Sequence, residues 1–401
     1  RGANGKMWWR GQYFKDATSC LDPGYTPLPP FHNTIKMANE VRKGLLHLFR
    51  HYEFQNDGIR VLYSMADMYA AYARDQKNGP KNWVRTTQGM YKSMRHHGWQ
   101  FDYVSDRQLE EGALNGAKLL FLPGTECMSS EMAAAIRRFV ENGGILVSDV
   151  EPGTRAMNLR PHARALLNEL FADLKEGKGR PVGEGHVCLS GSLLQRGKEN
   201  ETATSDLVKS IVEKSKIDKG WSLLHSDGRP ATGWELFTYK NGSATLLAMG
   251  ARDSMFNAEP ETYTLKLSVP SVIYDIRDRK KLGKGNTFEL SLDPARPKIL
   301  AALRAPMGTL EAELSATAHR AGDPLKLKIR IQPPPDFVTT CHVEFVAPDG
   351  QRLRHYARPV VLKSGQAEHT LSVALNDQGL HRVVVTETIS GQQNELSVEL
   401  K

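Results

Sequence analysis

The sequence predicts a mixed chain, α/β in its first half and all-β in its second, and three observations carry that prediction. From Ile59 to Lys214, strand-like runs alternate with amphipathic helices across short turns. After about Lys219 the hydrophobic period changes to two, and Asn241-Gly242 sits between two such runs. The last stretch, Thr309–Lys401, repeats short period-two strands over roughly the length of one sandwich domain. The 401 residues leave room for roughly two to four domains with sizeable cores.

The elements follow in order. Gly5-Lys-Met-Trp-Trp-Arg10 reads as a short apolar strand. A Pro-rich loop comes next, then a helix expected over Asn33–Phe54, with Val41, Leu45, Leu48, Phe49 and Tyr52 on one face. This is a single βα unit with no sequence before it to pair the strand. Strands do not leave ladder groups unpaired in a core, so the expectation is that Arg1 enters the middle of a larger domain.

Asn56-Asp-Gly58 breaks the helical pattern. Strands are then expected at Arg60–Ser64, Trp99–Val104, Lys118–Leu122, Ile145–Ser148 and His186–Leu189. Helices are expected at Thr87–His97, Ser130–Asn142 with Ser129 as cap, His162–Leu170 and Thr204–Lys214. Gly143-Gly144 closes the second of these. A strand-helix rhythm with short turns implies a parallel sheet covered by helices on both faces.

In the second half, Trp234–Tyr239 and Ser243–Met249 form the hairpin around Asn241-Gly242, the strongest short hairpin signal available. Tyr263–Val269, Ser271–Ile276, Thr287–Leu292 and Ile299–Leu303 complete an antiparallel domain. Arg304-Ala-Pro-Met-Gly308 reads as a linker. Beyond it, strands are expected at Leu325–Ile331, His342–Val346, Ala357–Leu362, His369–Val373 and His381–Glu387, with a turn at Pro348-Asp-Gly350. The Cys…Trp…Cys pattern of antibody domains is absent, so only a general Ig-like sandwich follows.

Composition narrows the function classes. The net charge of +8 is spread along the chain, and its densest cluster, Arg277-Asp-Arg-Lys-Lys281, contains an acid. A nucleic-acid footprint needs basic residues gathered on one face, so no nucleic-acid partner is expected. No run of 18 apolar residues is present, so no membrane partner is expected either. Cys20, Cys127, Cys188 and Cys341 lie far apart without a CxxC. They form neither a zinc pattern nor a disulfide framework. No metal and no cofactor are expected, and the compartment is left open.

Four motifs carry a resemblance. Asn56-Asp-Gly-Ile-Arg-Val-Leu-Tyr-Ser64, Gly98-Trp-Gln-Phe-Asp-Tyr103, Leu119-Leu-Phe-Leu-Pro-Gly124 and Phe139-Val-Glu-Asn-Gly-Gly-Ile-Leu-Val147 resemble the trimerisation domain of family 42 β-galactosidases. Val272-Ile-Tyr-Asp-Ile-Arg-Asp-Arg-Lys-Lys-Leu-Gly283, followed by Ile299-Leu-Ala-Ala-Leu303, resembles the small C-terminal β domain common in glycoside hydrolases. Gly5–Arg10 looks like the last strand of a TIM barrel in such enzymes. The resemblance implies four parts. Residues 1–57 are the last, incomplete βα unit of the barrel, and 58–218 a flavodoxin-like, class I glutamine-amidotransferase-like domain that trimerises. Residues 219–305 form an antiparallel β domain, and 309–401 an Ig-like β-sandwich outside the usual β-galactosidase pattern. It also implies self-association as a homotrimer and a carbohydrate substrate for the full-length protein. Both catalytic glutamates of the family come from earlier barrel strands, so no catalytic residue is carried over.

Three groups of residues are candidate sites. Trp8 and Trp9 point to opposite faces of their strand, so one can stack on a sugar at the barrel mouth beside Arg10 while the other packs as core. Asp67, Glu126, Asp149 and Glu151 lie just past the carboxyl ends of parallel strands, where open α/β sheets bind ligands. They are a possible cation or sugar site, or simply solvated loop acids and caps. Cys127 stands near the place of an amidotransferase nucleophile, but its neighbours are Glu126 and Met128 instead of glycines. His162 and His186 are lone histidines, so no His-x-Glu partner follows. Gly177, Gly179, Gly183 and Gly185 lack the strand-to-helix context of a phosphate loop and are expected to lead into the next strand. His96-His97 read as a favourable cation site at a helix end.

The favoured expectation is a non-catalytic C-terminal portion of a glycoside hydrolase. One rival is a stand-alone carbohydrate- or protein-binding module with a degenerate amidotransferase-like domain. Another is a small-molecule hydrolase using the acids at the sheet edge.

Overall fold

The computed structural model describes residues 29–191, 201–251, 258–320, 322–374 and 378–401. The chain enters through α1 (Pro29–Glu40), a wide helical turn at Val41–Leu45, and α2 (Leu46–Phe49). The helix expected over Asn33–Phe54 is thus bent and shorter. Gly44 takes φ +111°, and a Cβ there would lie 2.3 Å from Thr388 Oγ1. Thr340 Oγ1 donates to the Gly44 carbonyl at 3.1 Å. Glycine permits both the positive φ and this close approach. Leu45, Leu48 and Tyr52 are buried, as the helical spacing requires. Past Phe49 the chain straightens, because Phe49 and Phe54 both pack edge-on against Tyr239. Glu53–Gln55 becomes β1, paired antiparallel with residues Thr238–Lys240.

A six-stranded sheet follows: β2 (Ile59–Leu62), β3 (Phe101–Val104), β4 (Leu119–Leu122), β5 (Ile145–Ser148), β6 (Lys178–Val182) and β7 (Gly185–Leu189). Its order is β3-β2-β4-β5-β7-β6. All neighbours are parallel except the edge strand β6. The helices are α3 (Met65–Arg74), α4 (Gly79–His96), α5 (Asp106–Glu110), α6 (Ser130–Glu141), α7 (Asn168–Phe171) and α8 (Glu201–Lys214). Strand alternation divides the core. Ile59, Val61, Leu119 and Phe121 pack with Met90 and Met94 of α4 and Val208 and Val212 of α8. Leu62, Leu120, Leu122 and Leu146 pack with Met132, Ile136 and Val140 of α6. Ser129 caps α6 by accepting from the Met132 amide at 3.1 Å. Gly143, at φ +97°, ends it as expected.

Three readings of this half are corrected. The helix expected at His162–Leu170 shrinks to α7. The amides before it are taken by a loop, with His162 N bonded to the Thr154 carbonyl and Leu166 N to that of Gly153. The glycines from Gly177 to Gly185 lead into β7, as expected, but do so through a hairpin with the unforeseen strand β6, with positive φ at Gly177 and Gly183. Helix α3 was not expected at all.

The second half is all-β. Strands β8 (Trp221–Leu224), β9 (Trp234–Asn241), β10 (Ala244–Ala251), β11 (Glu261–Asp275), β12 (Lys280–Leu292) and β13 (Lys298–Leu303) join β1. The order is β1-β9-β10-β13-β11-β12, with β8 also on β11. The two strands expected over Tyr263–Ile276 are the single strand β11, irregular between Lys266 and Ser271. The Asn241-Gly242 hairpin is present, and its tip is also a joint. Asn241 donates to the His51 carbonyl and accepts from the Val338 amide. Strands β14 (Thr309–Leu314), β15 (Ala318–His319), β16 (Pro324–Gln332), β17 (Thr339–Val346), β18 (Arg358–Leu362), β19 (Gln366–Ser372), β20 (Gly379–Glu387) and β21 (Gln393–Leu400) form two further sheets. Their orders are β14-β16-β19 and β15-β21-β20-β17-β18. Leu325, Leu327 and Ile329 of one meet Val343, Phe345 and Val383 of the other in a common core.

Candidate functional site

The carboxyl edge of the parallel sheet gathers most of the predicted acids. Ser64, just past β2, caps α3 by accepting from the Asp67 amide at 3.2 Å. This sets Asp67 in the first turn of α3, 3% exposed, with its carboxylate turned toward the loop after β4. Asp67 Oδ1 accepts from the amides of Glu126 (2.9 Å) and Cys127 (2.8 Å). The Cys127 thiol lies against the same carboxylate, and Oδ2 has no further hydrogen-bond partner among the described residues. Burial pushes the Asp67 carboxyl up to about 6, against the lowering effect of the two amides.

Cys127 is fully buried. Burial, and then the Asp67 charge, push its thiol up to about 12. Nucleophilic cysteines need the opposite shift, so this thiol stays protonated at neutral pH. Glu126 bridges two arginines, Arg74 at 2.8 Å and Arg155 at 3.3 Å. The Arg155 backbone also pairs with this loop, its amide donating to Glu126 and its carbonyl accepting from Met128.

Asp149, just past β5, is buried, and its Oδ1 accepts from the Gly124 amide at 2.7 Å. Glu151 turns away toward α7 and accepts from Asn168 Nδ2 at 2.8 Å. The structure therefore brings Asp67, Glu126 and Cys127 into one cluster. Asp149 sits one loop over, and Glu151 stands apart. These acids hold the loops at this edge through amides, arginines and an asparagine. No group of three or more His, Cys, Asp or Glu that could hold a metal ion occurs among the described residues. Trp8, Trp9, Arg10 and Cys20 lie outside the described residues.

The cation reading at the end of α4 is corrected for His97. Its ring packs under α8, 2.8 Å from Ser205 Oγ. Burial pulls it down to about 4, with His96 adding to the effect, so it is neutral at pH 7.

Sequence reasoning missed a surface on α3. Met65, Tyr69 and Tyr72 stand outward, Tyr69 being 56% exposed. Tyr63 and Val84 are exposed as well. The i, i+4, i+7 spacing was a readable signal for one face of a short helix.

The family described as the β-galactosidase trimerisation domain matches residues 59–259. No curated protein matches the chain. Among solved structures, it resembles a catalytic mutant of a GH42 β-galactosidase from G. stearothermophilus, at 13% identity and a TM-score of 0.53. That alignment covers 74% of this chain and 47% of the other. It also resembles the β-galactosidase from Bacillus circulans sp. alkalophilus, at 14% identity and a TM-score of 0.51, over 71% of this chain and 47% of that one. At this identity the likeness shows a shared fold. The chain spans about half the length of these structures. No helix among the described residues is long and apolar enough to cross a membrane.

Proposed function

Because this chain belongs to the β-galactosidase trimerisation-domain family, we propose that it is the oligomerisation and support portion of a β-galactosidase-like glycoside hydrolase. In this reading the whole enzyme hydrolyses a β-linked glycoside. Its two catalytic glutamates stand on barrel strands that precede these residues, and one of Trp8 and Trp9 stacks on the sugar at the barrel mouth beside Arg10 while the other packs as core. The division is a last barrel unit at 1–57, a flavodoxin-like, amidotransferase-like domain at 58–218, a β domain at 219–305 and an Ig-like sandwich at 309–401. The parallel strands support the second of these. Taken in chain order their arrangement is 2-1-3-4-5, the flavodoxin-like order. The protonated Cys127 thiol supports a scaffold role over amidotransferase chemistry.

The observation that carries the self-association reading is the outward stripe Met65, Tyr69 and Tyr72 on α3. Large apolar side chains set outward at one helical spacing suit an interaction surface. A second copy of this chain is its occupant, closed three-fold symmetry being the specific form. Light scattering at micromolar concentration should give a three-chain mass. Tyr69→Glu with Tyr72→Glu should reduce it to one chain with an unchanged circular dichroism spectrum. A strictly monomeric wild type overturns the reading. This chain alone should also leave an aryl β-galactoside uncleaved. Turnover that disappears on mutating Glu126 or Glu151 would refute the support role.

A further inference from the structure

We propose that the groove between the bent entry helix and the C-terminal sandwich binds an anionic glycan, one carrying sulfate esters or carboxylates. The groove, about 1420 Å³ in volume, runs along the Val41–Leu45 turn and the outer side of β17. Five formal cations line it: Arg42, Lys43, Arg352, Arg354 and Arg358. The single carboxylate among its walls is Glu344. A cleft lined by one sign of charge focuses its field and concentrates counter-ions.

Glu344 is already committed. It pairs with Arg352, with Lys43 at 3.9 Å and with His342 Nε2 at 3.6 Å. The His342 hydrogen bond first, then the Arg352 one, hold its carboxyl down at about 2. Arg42, Arg354 and Arg358 have no carboxylate partner among the described residues. Guanidinium forks match planar or tetrahedral oxyanions bidentately, so three of them with no acid beside them fit sulfate or carboxylate oxygens.

His342 is 6% exposed and forms part of the groove wall. The bend at Gly44 builds this wall, for it sets the Val41–Leu45 turn and α2 against β17 while Arg42 and Lys43 stay exposed.

The size of the site selects a chain over a single ion. A second cavity of about 670 Å³ shares Asn39 and Lys43 with the groove; its Arg277 pairs with Glu40 and its Arg296 with Asp278, which leaves Lys36 and Arg279 without a carboxylate partner among the described residues. Together they form a track that crosses α1. The choice of a glycan rests on the glycoside hydrolase reading. The excess of positive charge stands without it.

Calorimetric titration of the 401-residue chain at low salt tests the proposal. The probes are a chondroitin sulfate hexasaccharide, an oligogalacturonate of equal length, a neutral galacto-oligosaccharide and an oligodeoxythymidylate of matched charge. Binding of either anionic glycan, with no heat from the neutral one, is the expected result, and the stronger of the two tells sulfate from carboxylate. Arg42→Gln with Arg354→Gln should weaken that binding at least tenfold. Both side chains are exposed, so the fold should survive, as circular dichroism will check. Three results overturn the proposal: no binding of either anionic glycan, equal binding by the variant, or oligodeoxythymidylate binding as tightly as the glycans. A trimer that binds no anion removes this proposal and leaves the support role standing.

Discussion

At the scale of single residues, Asp67 shows what burial does to a loop-holding acid. Its carboxyl rises from an ordinary 3.8 to about 6 because desolvation outweighs the two amides it accepts from. A folded value above the unfolded one means that the folded state holds the proton longer. The stability it contributes is fully present below about pH 3.8 and is lost as pH rises through about 6. Asp67→Asn keeps an acceptor for the Glu126 and Cys127 amides and removes the charge. Between pH 4 and pH 7 the wild type should therefore lose about 2 kcal/mol relative to this variant. Urea unfolding of both proteins at the two pH values measures it, and a constant difference would sink the argument. Position explains what was legible here. An acid just past a strand was visible in the sequence. That it turns inward onto amides 59 and 60 residues away depends on which loop folds over it, and no local pattern records that. The same holds for Lys219. It reads as one more polar residue at a boundary, yet it is half-buried, donating to the Gly98 carbonyl at 2.6 Å and lying over the Trp99 ring. Burial pulls it down to about 8.

At the scale of elements, the long periodic segments were legible and the bent or short ones were not. Helix α6 carries its cap, its apolar face and its closing glycine within its own sequence, and the β9–β10 turn carries Asn241-Gly242. The entry helix was misjudged because an isolated glycine inside a helical pattern is normally tolerated. Only the approach of Thr340 and Thr388 explains why Gly44 breaks it. Helix α3 was missed because Tyr69 and Tyr72 face outward, so its strongest side chains do not mark a core face. Gly44→Ala tests the bend. A non-glycine residue at φ +111° costs of order 1–3 kcal/mol in backbone strain. The added methyl must also displace Thr388 Oγ1, 2.3 Å from its position. The variant should lose at least that strain in chemical denaturation. An unchanged midpoint would mean that the turn relaxes into a regular helix without losing its packing on β17.

At the scale of the whole molecule, one hydrophobic cluster joins parts that the sequence reading kept separate. It contains Leu45 and Leu48 from the entry, Leu246 and Val272 from the antiparallel sheet, and Leu327, Phe345 and Val385 from the sandwich. The opposite face of the antiparallel sheet packs separately, through Leu247, Ile273 and Leu300 with Trp221 and Trp234. Period-two alternation announces that one side of a strand is buried but not what buries it, so this continuity could not be read from the Arg304–Gly308 linker. A chain ended at Gly308 should therefore not behave as the same protein minus an appendage. It would uncover Leu246, Val272 and Leu303 together with the packed side of the entry helix, a contiguous apolar surface larger than soluble monomers usually expose. The parallel-sheet cores, which share no residue with this cluster, should keep their own unfolding transition. Calorimetry of the truncated chain should thus show that transition alone near its original temperature, with the remainder unfolding earlier and binding a hydrophobic dye before heating. Dye binding no greater than that of the intact chain, with every transition unmoved, would mean that the sandwich folds apart from the rest and that the shared core contributes little.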